Sequence, residues 1–241
     1  MFLPTSIKEV RERGWEQLDV ILFTGDAYID HPAFGAAVIG RLLEAEGYRV
    51  AIVPQPNWRD DLRDFTKLGV PRLFFGVTAG AMDSMVNHYT ANLRLRHDDA
   101  YTPGGKAGFR PDRAVTVYTQ ILKRLFPHVP VVIGGIEASL RRLTHYDYWS
   151  DSLHPSVLVS SGADLLIYGM GEGVIQEVAQ AMRNGYNAKL LRKIRQVAFL
   201  ADRAYVERLD PSTTIRLHSF ERCQSDKRAF GENFVHIETQ S

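Results

Sequence analysis

Val131-Val132-Ile133-Gly134-Gly135-Ile136-Glu137-Ala138-Ser139 and Asp164-Leu165-Leu166-Ile167-Tyr168-Gly169-Met170-Gly171-Glu172-Gly173 decide the fold of this chain. Each is a short run of β-branched and aliphatic residues, then glycines, then a helix-forming stretch. Glycine at a strand's carboxyl end lets the backbone turn sharply and a ligand come close to the main chain. The amides that open the following helix carry a partial positive charge. In open α/β sheets, ligands bind at that edge. The two segments therefore mark a ligand-facing rim.

The same pattern extends outward. Ser6-Ile7-Lys8-Glu9 has the spacing of a capping box, and Gly14 stops a short first helix. Strands are predicted over Asp19 to Phe23, Tyr48 to Val53, Arg72 to Val77, Val129 to Ile133 and Leu165 to Tyr168. Helices are predicted over Phe34 to Glu46, Pro111 to Phe126 and Glu172 to Arg183, with a short helical piece ending at Leu143. The strands are nearly continuous apolar runs, as in a parallel sheet buried on both faces. Strand alternating with helix predicts a doubly wound, mainly parallel α/β domain.

Met82 to Arg113 is a long polar passage with few periodic signals, of the kind that carries function in compact domains. From about Asn187 the pattern changes. Leu190 to Leu200 reads as helix, Ala204 to Leu209 and Thr214 to Ser219 as strand edges, and Phe220 to Ser241 as the charged beginning of something else. The expected division is an α/β domain over 1–188 and a linker with the start of a following domain over 189–241.

The 241 residues carry a formal net charge of +1, so there is no bulk electrostatic case for nucleic acid or an anionic membrane. No apolar run approaches the ~18 residues needed to span a bilayer. Met1 to Ser6 lacks the charge and apolar pattern of a secretory signal, and a cytoplasmic protein is the expectation. The single cysteine, Cys223, excludes an internal disulfide framework or a self-contained iron–sulfur site.

Several motifs fail on their own requirements. Gly169-Met170-Gly171-Glu172-Gly173-Val174 has Val174 where a dinucleotide fingerprint needs its third glycine, and it follows the last strand of the sheet. Pro103 to Gly108 has Ala100 and Ala107 where a Walker loop needs glycine and a hydroxyl. His145, Asp147, Asp151 and His154 lack usual metal-ligand spacings and read as aromatic–polar packing over the sheet edge. Asp83, Asn87, His88 and Tyr89 share a helical spacing and either converge on the rim or form a structural cluster. Cys223 has no neighbouring His base, and Gly-x-Ser-x-Gly is absent.

Leu18 to Leu22 leading into Thr24-Gly25-Asp26-Ala27-Tyr28 and Asp30-His31-Pro32 forms one of five longer blocks. The others are Phe74 to Gly80 running into Met82 to Asn92, Tyr101 to Lys106, Gly134 to Arg142, and His145 to Trp149. Together they resemble the amino-terminal region of YgiQ-type radical SAM proteins. The resemblance implies a cobalamin-binding-like domain ahead of a radical SAM barrel in cis. It further implies that barrel cysteines hold a [4Fe–4S] cluster that cleaves S-adenosylmethionine reductively. On this resemblance the chain is expected to stop before that barrel begins. Base-off cobalamin carriers use D-x-H-x-x-G. In this chain Asp30 and Gly35 have the right separation, but the histidine, His31, comes one place early. Cobalamin stays open as a ligand, against a B12-like domain that has lost it and serves in docking or substrate recognition.

The candidate rim is Gly25, Asp26, His31, Gly76, Gly80, Gly134, Gly135, Gly171 and Glu172. The leading expectation is a non-catalytic accessory domain whose rim faces the barrel or an unknown small-molecule substrate. Its rival is an autonomous, transferase-like enzyme with Asp83, His88 or Glu172 as acid or base. Exposed apolar surface is predicted after Leu190, where the barrel would dock.

Overall fold

In the computed structural model, residues 2–185 and 191–239 are described. Five short apolar runs form parallel strands: β1 (Val20–Thr24), β2 (Val50–Pro54), β3 (Phe74–Thr78), β4 (Val131–Ile133) and β7 (Leu165–Ile167). With β8 (Val197–Ala198), which is antiparallel to β7, they build a sheet of order β2-β1-β3-β4-β7-β8. The chain moves from β1 out to β2 and returns past β1 to β3, so the switch point lies between β1 and β3. Register aligns Thr24 with both Pro54 and Thr78, which brings the carboxyl ends of three strands flush.

Alternate residues of each strand enter two separate cores. Leu22, Ile52, Phe74, Val132 and Ile167 face α2 (Gly35–Ala45) and α8 (Glu172–Arg183). Phe23, Phe75, Val77 and Ile133 face α3 (Arg63–Thr66), α5 (Ala114–Leu125) and α7 (Val157–Ser161). There Phe23 stacks on Phe65 with ring centroids 5.3 Å apart, and Phe65 meets Tyr118. The doubly wound expectation holds. Ser6 and Glu9 make the reciprocal capping box at the start of α1 (Ile7–Glu12).

The passage from Met82 to Arg113 contains α4 (Ser84–His88) and a 3₁₀ turn at Pro103–Gly105. It is pinned to the loops after β1 and β2. Ala27 N–H donates to Tyr101 O at 2.9 Å, Gln55 Nε2 to Thr102 Oγ1 at 2.7 Å, and Trp58 Nε1 to Phe109 O at 3.0 Å. After β4, the short α6 (Ile136–Leu140) is followed by a hairpin of β5 (His145–Asp147) and β6 (Ser152–His154).

The carboxyl-terminal readings need correction. The helix expected over Leu190 to Leu200 is, from Arg192 on, a turn-rich segment leading into β8; Leu191 is helical and Leu190 lies outside the described residues. Val197 and Phe199 pack into the α8 core and Val197 pairs with Ile167, so tertiary packing overrides the helical pattern. The strand expected over Ala204 to Leu209 is instead α9 (Arg203–Val206), capped by Asp202, which accepts from Tyr205 N at 2.7 Å. Thr214 to Ser219 pairs with no strand among the described residues. Phe220 onward forms α10 (Phe220–Ser225) and α11 (Lys227–Thr239), which close on Cys223, Ala229 and Asn233. The expected boundary at 188/189 lies outside the described residues. Leu200, Val206, Leu209 and Ile215 are exposed, in the region where open apolar surface was expected.

Candidate functional site

The carboxyl edge of the sheet gathers the rim residues, and its two sides differ. On the α5 side the loops after β1 and β3 hold a buried charge network. Arg110 is fully buried and reaches three groups: Asp99 through Nε and Nη2 at 3.1 and 3.2 Å, Asp26 Oδ1 at 2.9 Å, and the carbonyl of Ala79 at 2.9 Å. Asp26 also accepts from Ala81 N at 2.6 Å. Burial pushes its carboxyl above the usual range, against the pull of Ala81 N–H and Arg110. Next to it Asp83 caps α4, accepting from Met85 N at 2.9 Å, and pairs with buried Arg141. Desolvation holds the Arg141 guanidinium below its ordinary value. Glu137, buried in α6, ties the two elements together, taking Ser84 N–H and Val115 N–H at 2.9 Å each. Burial raises its carboxyl as well, outweighing those hydrogen bonds.

Two rim glycines, Gly25 and Gly80, belong to this packing, and a third, Gly135, to the neighbouring end of β3. At Gly25 a Cβ would collide with the Ala79 carbonyl, and at Gly80 with the Asp26 carboxylate. At Gly135 it would lie 2.5 Å from Thr78 Oγ1. Gly80 and Gly135 also hold φ of +113° and +84°, a region that side-chain-bearing residues rarely adopt. These glycines are required by the protein's own contacts.

On the α8 side the edge opens into an apolar cavity of about 300 Å³. Leu22, Gly76, Val132 and Ile167 form its floor, Ala36 and Ile39 of α2 one wall, and Ile175 of α8 the other. Gly134, Gly135, Gly169, Gly171 and Glu172 stand at its lip. Beyond the lip, Ile136 and Leu140 of α6 and Met170 are exposed, Met170 at 77%. Of the predicted rim, Gly76, Gly134, Gly135, Gly171 and Glu172 line the cavity, whereas Gly25, Asp26 and Gly80 sit in the charge network. His31 does neither.

His31 is exposed, and its Nδ1 accepts from Ala33 N–H at 3.1 Å. The imidazole is thereby held against its own loop. Asp30 is engaged by Arg41, whose Nε lies 3.0 Å away, and not by the imidazole. These residues do not fit a cobalt ligand. Cys223 is buried, takes Asn233 Nδ2 at 3.3 Å, and burial pushes its thiol up, so it is not a poised thiolate.

The residues proposed as acid or base do not come together. Asp83 is locked to Arg141, and His88 is buried with Nδ1 2.6 Å from Asp112 Oδ1, where Tyr89 OH also bonds. Glu172 is at the cavity lip. His145 and His154 face each other across the β5–β6 hairpin with rings 5.9 Å apart. Asp147 beside them accepts from Ser150 and, at 2.8 Å, from Arg113. Its carboxyl is held low: burial raises it, but the Ser150 bonds and Arg113 outweigh that. No group of three metal-ligating side chains occurs among the described residues, nor a helix there long and apolar enough to cross a membrane.

The sequence pointed to the glycines but missed Arg110, Asp99 and the helix walls of the cavity. Arg110 carried no local signal, since its partners lie 11, 31 and 84 positions away. Glu137 and Arg141 stood in one quoted block at helical spacing, a usable clue to a shared role.

A family model described as Radical SAM N-terminal matches residues 2–241. A UPF0313 protein of Porphyromonas gingivalis is 63% identical over 240 residues, covering all of this chain and 38% of that protein. One from Bacteroides thetaiotaomicron is 59% identical, covering all of the chain and 40% of its own length. One from Thermotoga neapolitana is 50% identical over 96% of the chain and 40% of its own length. The chain thus spans about two fifths of the length of these curated relatives. No solved structure matches it.

Proposed function

The chain belongs to the radical SAM N-terminal family, and from that premise we propose that it is the non-catalytic accessory unit of a longer radical SAM protein. The carboxyl edge of its sheet faces the remainder of that protein and the substrate. The observation that carries this reading is the apolar patch outside the cavity lip. Ile136, Leu140 and Met170 stand exposed around a cavity at the sheet edge where α/β domains bind ligands. The relatives have three fifths of their length beyond the region this chain matches, enough to cover such a patch. The radical chemistry belongs to that remainder. A [4Fe–4S] cluster that binds S-adenosylmethionine needs several thiolates, and this chain has only Cys223. Cobalt ligation is not assigned to His31, which bonds within its own loop, and cobalamin held without a protein ligand is left open. A cytoplasmic location agrees with the reading.

Amide hydrogen exchange tests it, comparing this chain with the full-length Porphyromonas gingivalis relative. The peptides spanning Gly134 to Arg142 and Tyr168 to Gly173 are expected to exchange at least tenfold more slowly in the longer protein. Equal rates would mean that the edge is not covered.

A further inference from the structure

We propose that the cavity between α2 and α8 is a binding slot for an uncharged, apolar or heteroaromatic group of one or two rings, carried on a small molecule whose polar end stays at the glycine lip. This deepens the proposed function and rests on its placing of the substrate at the carboxyl edge. The slot lies between the opening turns of the two helices, and the chain just past the end of α2 is tied to α8. Gln176 Nε2 donates to Glu46 Oε1 at 3.1 Å, and Arg183 lies over the Tyr48 ring at 3.9 Å. Their first turns part over the sheet. On α2 that turn begins Gly35-Ala36, which is too small to reach across, and on the floor Gly76 offers no side chain at all. A Cβ at Gly76 would press on Leu22 at 2.6 Å.

The cleft between the helices, open to solvent at the sheet edge, has a volume of about 300 Å³. The volume is at the lower end of small-molecule pockets. Leu22, Ile39, Val132, Ile167 and Ile175 offer no hydrogen bond, so a charged group would lose its hydration without return. The lip is different. The N-cap residues Phe34 and Gly171 provide no side-chain acceptor, so the opening amides of α2 and α8 remain as donors for acceptor atoms at the ligand's outer end.

The test is methyl-observed NMR of the 241-residue chain titrated with indole, adenosine and ribose. Indole and adenosine are expected to shift the Ile39, Ile167 and Ile175 methyls saturably, while ribose leaves them in place. Ala36→Phe, which fills the slot from α2, should weaken both ligands at least tenfold. Ala33→Trp plugs the exposed mouth and should do the same should the first variant melt early. Three results would overturn the proposal: no methyl shift with either ring compound, equal shifts with ribose, or binding unchanged in a folded variant. Ring compounds that bind this chain but not the full-length relative would also overturn it, since the longer protein would then fill the slot itself. The exchange experiment on the lip can succeed or fail independently of all four.

Discussion

The two sides of one sheet edge solve the same packing problem in opposite ways. Beside α5, the space above the strand ends is filled with charge: Asp26, Asp83, Asp99 and Glu137 with Arg110 and Arg141, all buried. Beside α8, the equivalent space is left open and apolar, and Ile136, Leu140 and Met170 next to it are exposed. Buried ion pairs are poor sources of net stability, because desolvation offsets most of the attraction. They do fix geometry, since a half-broken network is strongly unfavourable. The network therefore makes the Met82 to Arg113 passage a rigid cap on one flank and leaves the other flank free to receive something.

The largest effect should come from breaking that rigidity. Arg110→Met leaves Asp26 and Asp99 buried without their cation, and a loss of about 3–5 kcal/mol is expected. That is a large share of the roughly 5–15 kcal/mol available to a typical domain. Urea denaturation followed by circular dichroism measures it. Adding Asp26→Asn and Asp99→Asn should recover much of the loss. A single variant as stable as the parent would mean that the charges are solvated and the contrast between the two flanks is false.

Gly80→Ala comes next. The new methyl meets the Asp26 carboxylate, and the residue must hold φ near +113°. A destabilisation of roughly 1–3 kcal/mol is expected, read from the same unfolding curves.

Glu137→Gln probes the charge through pH. Glutamine offers one acceptor to two backbone donors, so a loss of about 1–3 kcal/mol is expected near neutrality. The sign of the pH effect is fixed by burial, which raises the Glu137 carboxyl in the folded chain above its ordinary value of 4.5. Above 4.5 the unfolded chain releases this proton before the folded one, so the folded state binds more protons and its stability falls as pH rises. The fall ends once pH passes the raised folded value. The variant lacks this component. The stability advantage of the unsubstituted chain over Glu137→Gln should therefore shrink across that window, in paired urea titrations at stepped pH. A widening gap would show a lowered carboxyl and a more polar network than described.

Much of this fold was legible because its signals are local. Val131 to Gly135 and Leu165 to Gly171 state strand and turn within a few residues, and Ala114 to Leu125 shows its apolar face by periodicity alone. The carboxyl-terminal segments misled for the opposite reason. Val197 is a strand residue only because β7 leaves an unpaired edge beside it. The rim was legible as a set of glycines but not as two sets, because what separates Gly80 from Gly171 is the atom opposite. That atom comes from elsewhere in the chain: the Asp26 carboxylate for one, the Ile167 side chain for the other.

Gly171→Ala should have the smallest effect and says most about the open flank. Its φ of −87° and ψ of −3° lie on the negative-φ side open to side-chain-bearing residues, so alanine avoids the left-handed strain expected at Gly80. The added methyl would lie 3.3 Å from Ile167 Cγ2, a tight contact with a side chain that borders empty space and can turn aside. Alanine also restricts the unfolded chain relative to glycine, which favours the folded state slightly. The two contributions oppose each other, and a net change within about 0.5 kcal/mol is expected. Thermal melts of this variant and Gly80→Ala, run side by side, set the two flanks against each other. If Gly171→Ala melts as early as Gly80→Ala, the α8 side is packed as tightly as the α5 side, and there is no slot for a ligand to enter.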